Sequence, residues 1–511
     1  MTNTEVPELE RVPSGIAGLD TILRGGFLRG GVYIVQGTPG AGKTILANQA
    51  CFRHVAGGGR AVYVTLLAES HARMLQHLRP LGFYDGSVVP DQLYYVSAFR
   101  VLEDEGLKSL LDLLRREIRG HRASLLVVDG FLAVEESASS ARELKKFVHE
   151  IQTLTSMANC TALLLTNGST RPSHPEHTMV DGLIELEDTA SGVRTERGLW
   201  VRKFRGSGFL RGRHPFRITE HGIQAFPRIE VAFATPSQSD QASTAKISVG
   251  VPDLDAMIGG GIPAATTTAL IGPTGIGKTT FGLHFLSLSD EAEPGLFFGF
   301  YETPPRLCIK AASFGIDLAG MEKRGEVEFI WHPQGENVLD ELGHRLLDAV
   351  QRRGVKRLFV DGLGGIMQSA TDPERITRFF SVLANELRAR GVTTIYTIEM
   401  QGIFDTGVAM PVAGISSLIE NLIMLRYVEV ESELCRFASV LKIRESGFDP
   451  MLRQFHITGR GIEMGEPFRG AEDILSGAAH LTADANLPST HPPAHPPGEA
   501  GSPHPRTRSK A

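Results

Sequence analysis

The sequence predicts an α/β protein of two tandem domains, each built on a mainly parallel central sheet, followed by a disordered C-terminal tail. Three observations carry that expectation. The chain repeats itself, short apolar runs alternate with amphipathic stretches, and one glycine-rich loop occupies the same place in both copies.

The repeat sets the domain count. Gly15-Ile-Ala-Gly-Leu19-Asp20 recurs as Gly250-Val-Pro-Asp-Leu254-Asp255, and both run on into paired glycines, Gly25-Gly26 and Gly260-Gly261. The glycine-rich loops begin at Gly37 and Gly272, so the offset is 235 residues at the opening (250 − 15) and at the loop (272 − 37). A register that constant means tandem duplication, with domains over 12–232 and 247–465. The polar stretch 235–244 reads as part of a linker over 233–246. Beyond 465 a short segment leads into a Pro- and His-rich tail ending at 511, which cannot bury a core. Its histidines could hold metal weakly, but a solvated tail is the simpler reading.

Within each half the apolar runs are continuous rather than alternating, as in parallel strands buried on both faces. They fall at 33–36, 61–65, 125–128 and 161–165, and again at 268–271, 296–300, 357–360 and 393–398. Between them lie amphipathic helices such as 107–119, where Leu110, Leu111, Leu114 and Ile118 follow helical spacing.

Composition bounds the function. The chain of 511 residues carries a net charge of −6, which argues against a surface built for nucleic acid. The acidic N-terminus is no signal peptide, and no run approaches the roughly 20 apolar residues a membrane span needs. The 4 cysteines are scattered without a CxxC pair, which excludes a zinc ribbon and fits a cytoplasmic protein.

The loops carry the chemistry. Gly37-Thr38-Pro39-Gly40-Ala41-Gly42-Lys43-Thr44 and Gly272-Pro273-Thr274-Gly275-Ile276-Gly277-Lys278-Thr279 both match G-x-x-x-x-G-K-[ST], each after a strand and before a helix. Small residues let backbone N–H groups curl around a phosphate at a helix N-terminus. Lys43 and Lys278 then reach the β- and γ-phosphates of ATP, and Thr44 and Thr279 place a hydroxyl on Mg2+. The second Mg2+ partner should be an acid ending a neighbouring buried strand. Asp129 and Asp361 fill that place, each before a glycine. Either could be a turn residue, but the duplicated pattern favours the metal. A carboxylate that orients water or an acceptor is also needed. Glu69 and Glu302 end the strand that follows each P-loop helix and are the candidates, against the alternative of exposed strand-end glutamates.

These features, with the stretch from Lys203-Phe-Arg205 through Arg213-His-Pro-Phe to Pro227, resemble the KaiC family, tandem RecA-like P-loop ATPases that include the bacterial circadian clock ATPase/kinase. The resemblance spans nearly all of 12–477. It implies a homo-hexameric ring with ATP between subunits, a signalling protein partner, and no nucleic acid or membrane. It also implies that Lys203 and Arg205, and their counterparts Lys442 and Arg444, reach the neighbour's γ-phosphate. A Lys-x-Arg on one strand puts both cations on one face, although a basic strand edge would also deter aggregation. Ser416 and Ser417 align with the family's phosphorylated pair. Ser417-x-x-Glu420 also reads as a capping box opening a helix. Where the family carries paired glutamates after the P-loop helix, the first of each pair is here Ala68 and Tyr301. ATP binding should survive that loss, with slow hydrolysis. Three readings follow: a signalling ATPase with autokinase activity, a RecA- or helicase-type DNA-dependent ATPase, and a non-catalytic ATP-stabilised scaffold.

Overall fold

The computed structural model describes residues 9–67, 71–167, 178–239, 243–400, 418–430 and 433–468, and the backbone at 471–472 and 480–481. The first half forms a nine-stranded sheet from β1 (Val32–Gly37), β2 (Ala61–Thr65), β3 (Leu93–Ser97), β4 (Leu125–Asp129), β5 (Thr161–Thr166), β6 (Gly182–Ser191), β7 (Arg194–Phe204), β8 (Arg213–Thr219) and β9 (Gly222–Ala225). Its spatial order is β3-β2-β4-β5-β1-β6-β7-β8-β9. Strands β3 to β6 in that order pair in parallel, and β6 to β9 pair antiparallel.

The second half repeats this plan with β10 (Thr267–Gly272), β11 (Gly295–Gly299), β12 (Val327–Trp331), β13 (Arg357–Asp361), β14 (Thr393–Glu399), β15 (Asn421–Val430), β16 (Glu433–Lys442), β17 (Arg453–Thr458) and β18 (Gly461–Pro467). The order is β12-β11-β13-β14-β10-β15-β16-β17-β18, strand for strand that of the first half. Two mainly parallel sheets with helices are the tandem α/β domains that the repeat predicted and the RecA-like architecture that the resemblance implied.

The continuous apolar runs serve two cores at once. In β1, Tyr33 and Val35 pack into one cluster while Val32 and Ile34 pack into the other, on the opposite face. In β13, Phe359 goes to one cluster and Leu358 and Val360 to the other. Alternate side chains leave a strand on opposite faces, so a strand covered on both sides is apolar throughout. The helix predicted over 107–119 is the latter part of a longer element, Phe99–His121. Gly106, at φ 79°, breaks the helical path there, which a residue without Cβ does at least cost. No helix among the described residues is long and apolar enough to cross a membrane. All 4 cysteines are free thiols.

The halves are clasped together by residues next to the predicted linker. Ile229 is fully buried in the core of the second half, and its N–H donates to Asp340 Oδ1 at 3.0 Å. Arg375 bridges Glu230 at 2.8 Å and Asp340 at 2.9 Å. Within 233–246, the Ser237 N–H donates to Glu386 Oε2 at 2.8 Å, and Lys246–Ile247 pairs with Ile262–Pro263. Where it is described, this stretch is seated on the second half.

One local expectation is overturned. No helix runs on through Glu420, as the capping box read at Ser417-x-x-Glu420 would require. The Glu420 carboxylate accepts the Thr267 N–H at 2.9 Å and pairs with Arg388 at 3.1 Å, and the chain is a strand from Asn421 onward. Glu420 therefore ties the start of β15 to the start of β10, as Asp181 ties β6 to β1 by accepting the Val32 N–H at 2.9 Å.

Candidate nucleotide sites

Both P-loops lie at the carboxyl ends of central parallel strands, where open α/β sheets place their ligands. In the first half, β1 ends at Gly37 and the helix Lys43–Ala56 starts six residues later. Gly42 precedes that helix at φ 105°, and a Cβ there would stand 2.8 Å from Ile218 Cδ1. Both conformation and space demand glycine. Ala41 is fully buried beneath the loop, and its N–H donates to Thr38 O at 3.1 Å. The loop is thereby held as a turn with Pro39 and Gly40 at its rim.

The candidate side chains converge on that loop. Lys43 Nζ donates to Gly37 O at 2.6 Å and Thr38 O at 3.1 Å. Thr44 Oγ1 donates to Asp129 Oδ2 at 3.1 Å, and the Tyr63 hydroxyl donates to the same oxygen at 2.8 Å. Asp129 ends β4 and is 6% exposed. Burial pushes its carboxyl above the ordinary carboxylate range, against the hydrogen bonds from Tyr63 and Thr44 and the charge of Lys43. A cavity of about 420 Å3 opens over these groups, walled also by Glu136 and Asn167.

The second half reproduces the constellation. Lys278 Nζ donates to Gly272 O at 2.8 Å and Pro273 O at 2.9 Å, and Thr279 Oγ1 donates to Asp361 Oδ2 at 2.9 Å. Thr274 and Gly275 line the rim, Ile276 is buried below, and Gly277 caps the helix Lys278–Leu286 at φ 118°. Here the other carboxylate oxygen is taken by Thr397, whose Oγ1 donates to Asp361 Oδ1 at 2.8 Å. Burial raises Asp361 too, opposed by the Thr397 and Thr279 hydrogen bonds. Lys278 is lowered by burial, which Glu399 and Asp361 partly offset. The cavity is about 470 Å3, and Tyr301, Glu302, Lys310 and Glu399 also face it.

The donor set suits a hard divalent cation. Each half offers one buried carboxylate and one half-buried hydroxyl, held in place by a hydrogen bond to each other. No group of three or more His, Cys, Asp or Glu gathers among the described residues. Mg2+ ordinarily takes one or two carboxylates and completes its shell with phosphate and water, so it fits where a protein-caged metal would not.

The remaining candidates separate. Glu302 faces the second cavity, but its Oε1 lies 2.5 Å from Lys310 Nζ. Glu69, Ser416 and Ser417 lie outside the described residues. Lys203 and Arg205 come together on the backbone of the segment before β6, where Lys203 Nζ donates to Thr178 O at 2.9 Å and Arg205 to Thr178 O at 2.7 Å. Lys442 Nζ donates to Ile419 O at 2.6 Å, and Arg444 pairs with Glu420 at 3.4 Å. These cations sit at the start of β6 and β15, whereas the P-loops sit at the far ends of β1 and β10. They are at the wrong end of the sheet to serve the P-loop of their own half.

Sequence reasoning missed Tyr63, Thr397, Lys310 and Glu399. The signal for two of them was present. Thr397 and Glu399 alternate at the end of an otherwise buried strand, which puts both on the face that carries Asp361.

The comparisons agree with this geometry. A family model described as "ATPase: KaiC" matches residues 12–230 and again 247–468. The chain is similar to the circadian clock oscillator protein KaiC of Picosynechococcus sp., at 26% identity over 490 residues covering 93% of both chains. It is similar to the circadian clock protein KaiC3 of Synechocystis sp. at 25% identity, covering 95% of this chain and 98% of that one. A KaiC of Prochlorococcus marinus is 26% identical, over 94% of this chain and 96% of the relative. With both repeats matched and both P-loops built alike, the chain belongs to the KaiC family of ATPases.

Proposed function

We propose that the chain binds Mg-ATP in both halves and hydrolyses it slowly, so that its nucleotide state acts as a switch read by a protein partner. The observation that carries this reading is the duplicated P-loop constellation. Lys43, Thr44 and Asp129 in one half, and Lys278, Thr279 and Asp361 in the other, are gathered with nearly the same hydrogen bonds. The lysines leave their loop carbonyls for the β- and γ-phosphates, and the loop N–H groups hold the β-phosphate. Thr44 with Asp129, and Thr279 with Asp361, would hold Mg2+, which offsets the charge that builds on the transferring phosphate. Slow turnover follows from Ala68 and Tyr301, which bring no carboxylate to the place where the family carries its first glutamate.

The copies assemble as a hexamer with ATP at the subunit borders. The placement of Lys203, Arg205, Lys442 and Arg444 supports that reading, because these cations can act on a γ-phosphate only across an interface. Free thiols fit a reducing cytoplasm. Purified protein should release phosphate from Mg-ATP, and the Lys43→Ala/Lys278→Ala double variant should not. Equal release by the two would remove the hydrolytic reading. Sedimentation with and without Mg-ATP tests the ring, and a monomer under both conditions would remove it.

A further inference from the structure

The second site lacks the family's first glutamate, yet it holds two other carboxylates that could act on water. Glu302 is paired. Its Oε1 lies 2.5 Å from Lys310 Nζ, and both side chains wall the cavity. The carboxylate is turned towards that ammonium.

Glu399 is placed differently. It is the last residue of β14, level with Gly272 in the register with β10, at the mouth of the P-loop. Two residues earlier on the same strand, Thr397 donates to Asp361. The two-residue period therefore turns Glu399 onto the face of the sheet that carries Asp361 and Thr279, while Ile398 between them is buried in the core on the opposite face. Glu399 walls the cavity together with Lys278 and Thr279, and its charge is felt by both Lys278 and Tyr301. Among the described residues no side chain donates a hydrogen bond to it. Tyr301 lies against Gly362 and Gly364 beside Asp361, so an aromatic ring stands where the family's first carboxylate would be.

We infer that Glu399, on the strand beside the P-loop, is the carboxylate that orients and deprotonates the attacking water in the second nucleotide site. This rests on the proposed Mg-ATP hydrolysis at that site. The water oxygen forms a bond to the γ-phosphorus as the bond from that phosphorus to the β–γ bridging oxygen breaks. The bridging oxygen keeps the electron pair and leaves with ADP, and the water proton passes to Glu399. The role belongs to this half alone. The equivalent strand end in the first half carries Asn167, whose amide can orient a water but cannot take its proton.

The test uses the full chain in a Lys43→Ala background, so that only the second site turns over. Glu399→Gln should lower kcat by about 100-fold, the smaller end of what a general base contributes. That loss should be at least ten times the loss from Glu302→Gln, and Mg-ATP dissociation measured by equilibrium dialysis should stay within threefold. A Glu302→Gln loss equal to or greater than that of Glu399→Gln would overturn the inference while leaving the hydrolytic reading intact. A background protein that binds Mg-ATP at the second site without turning it over would remove the hydrolytic reading of that site, and the inference with it. Failure of the wild-type chain to bind Mg-ATP at all would instead remove the reading on which the inference rests.

Discussion

Replacing Arg375 by methionine should unfasten the two halves at the clasp. The guanidinium donates to Glu230 through Nε and Nη2, both at 2.8 Å, and its Nη2 also lies 2.9 and 3.0 Å from the two oxygens of Asp340. The Asp340 side chain is 0% exposed and that of Glu230 6%. Arg375→Met keeps the side chain's bulk but leaves two buried carboxylates facing each other, with only Arg228 at 3.6 Å from Glu230. Breaking a buried pair from one side costs roughly 3–5 kcal/mol. The Ile229 N–H, which donates to Asp340, reports the opening directly. If the clasp opens locally, its amide exchange should accelerate by about two to three and a half powers of ten. The deficit should depend on pH. Burial already raises Asp340, with Arg375 opposing it, so without Arg375 the carboxyl binds its proton more tightly. Protonation then relieves the repulsion, and the deficit should be largest at neutral pH and shrink on acidification. Hydrogen exchange followed by mass spectrometry on the segment around 229–233 reads both effects. Acceleration of less than tenfold at neutral pH would refute the claim that this pair holds the halves together.

Other outcomes follow from the same geometry. Thr397→Val removes the hydroxyl that orients Asp361 and should weaken Mg-dependent ATP binding at the second site by about 10- to 100-fold, read from a Mg2+ titration at fixed nucleotide. Gly277→Ala forces a Cβ to within 2.7 Å of Ile457 Cδ1 at φ 118°, and should cost about 1–3 kcal/mol while abolishing nucleotide binding at that site alone. His214 is fully buried, accepting the Arg228 N–H on Nδ1 at 3.0 Å, and burial lowers it from 6.5 to about 4. The unfolded chain takes up that proton first, so the stability present above pH 6.5 should fall as the pH drops towards 4, by at most about 3 kcal/mol. Thermal melting across that range checks it, and a flat profile would contradict the buried neutral imidazole.

How much of this was legible depends on the range of the signal. The central strands announced themselves because β1, β4, β10 and β13 are covered on both faces, and a doubly covered strand is apolar at every position. The P-loops and the two aspartates were legible because phosphate and Mg2+ demand particular residues at particular spacings. The antiparallel extension was not. Strand β7 carries Arg194, Glu196 and Arg197 ahead of its buried positions and Arg202 among them, and so many charges look like loop until the neighbouring strand is known. Strand β3 is only partly buried and gave too weak a run. The clasp was invisible because Arg375 and Glu230 stand 145 residues apart. Glu420 misled for the converse reason, since a local pattern matched a helix cap while the carboxylate was committed to Thr267 and Arg388, both distant in sequence. Tyr63 and Thr397 show the finer limit. The two halves secure their aspartates from different neighbouring strands, so comparing one repeat with the other could not have found either residue.

The most direct test of two working nucleotide sites is the stoichiometry of Mg-ATP binding at equilibrium. The wild-type chain should bind two nucleotides per copy, Lys43→Ala and Lys278→Ala should each bind one, and the double variant should bind none. A wild-type chain that binds a single nucleotide, or a double variant that binds as well as the wild type, would contradict the account.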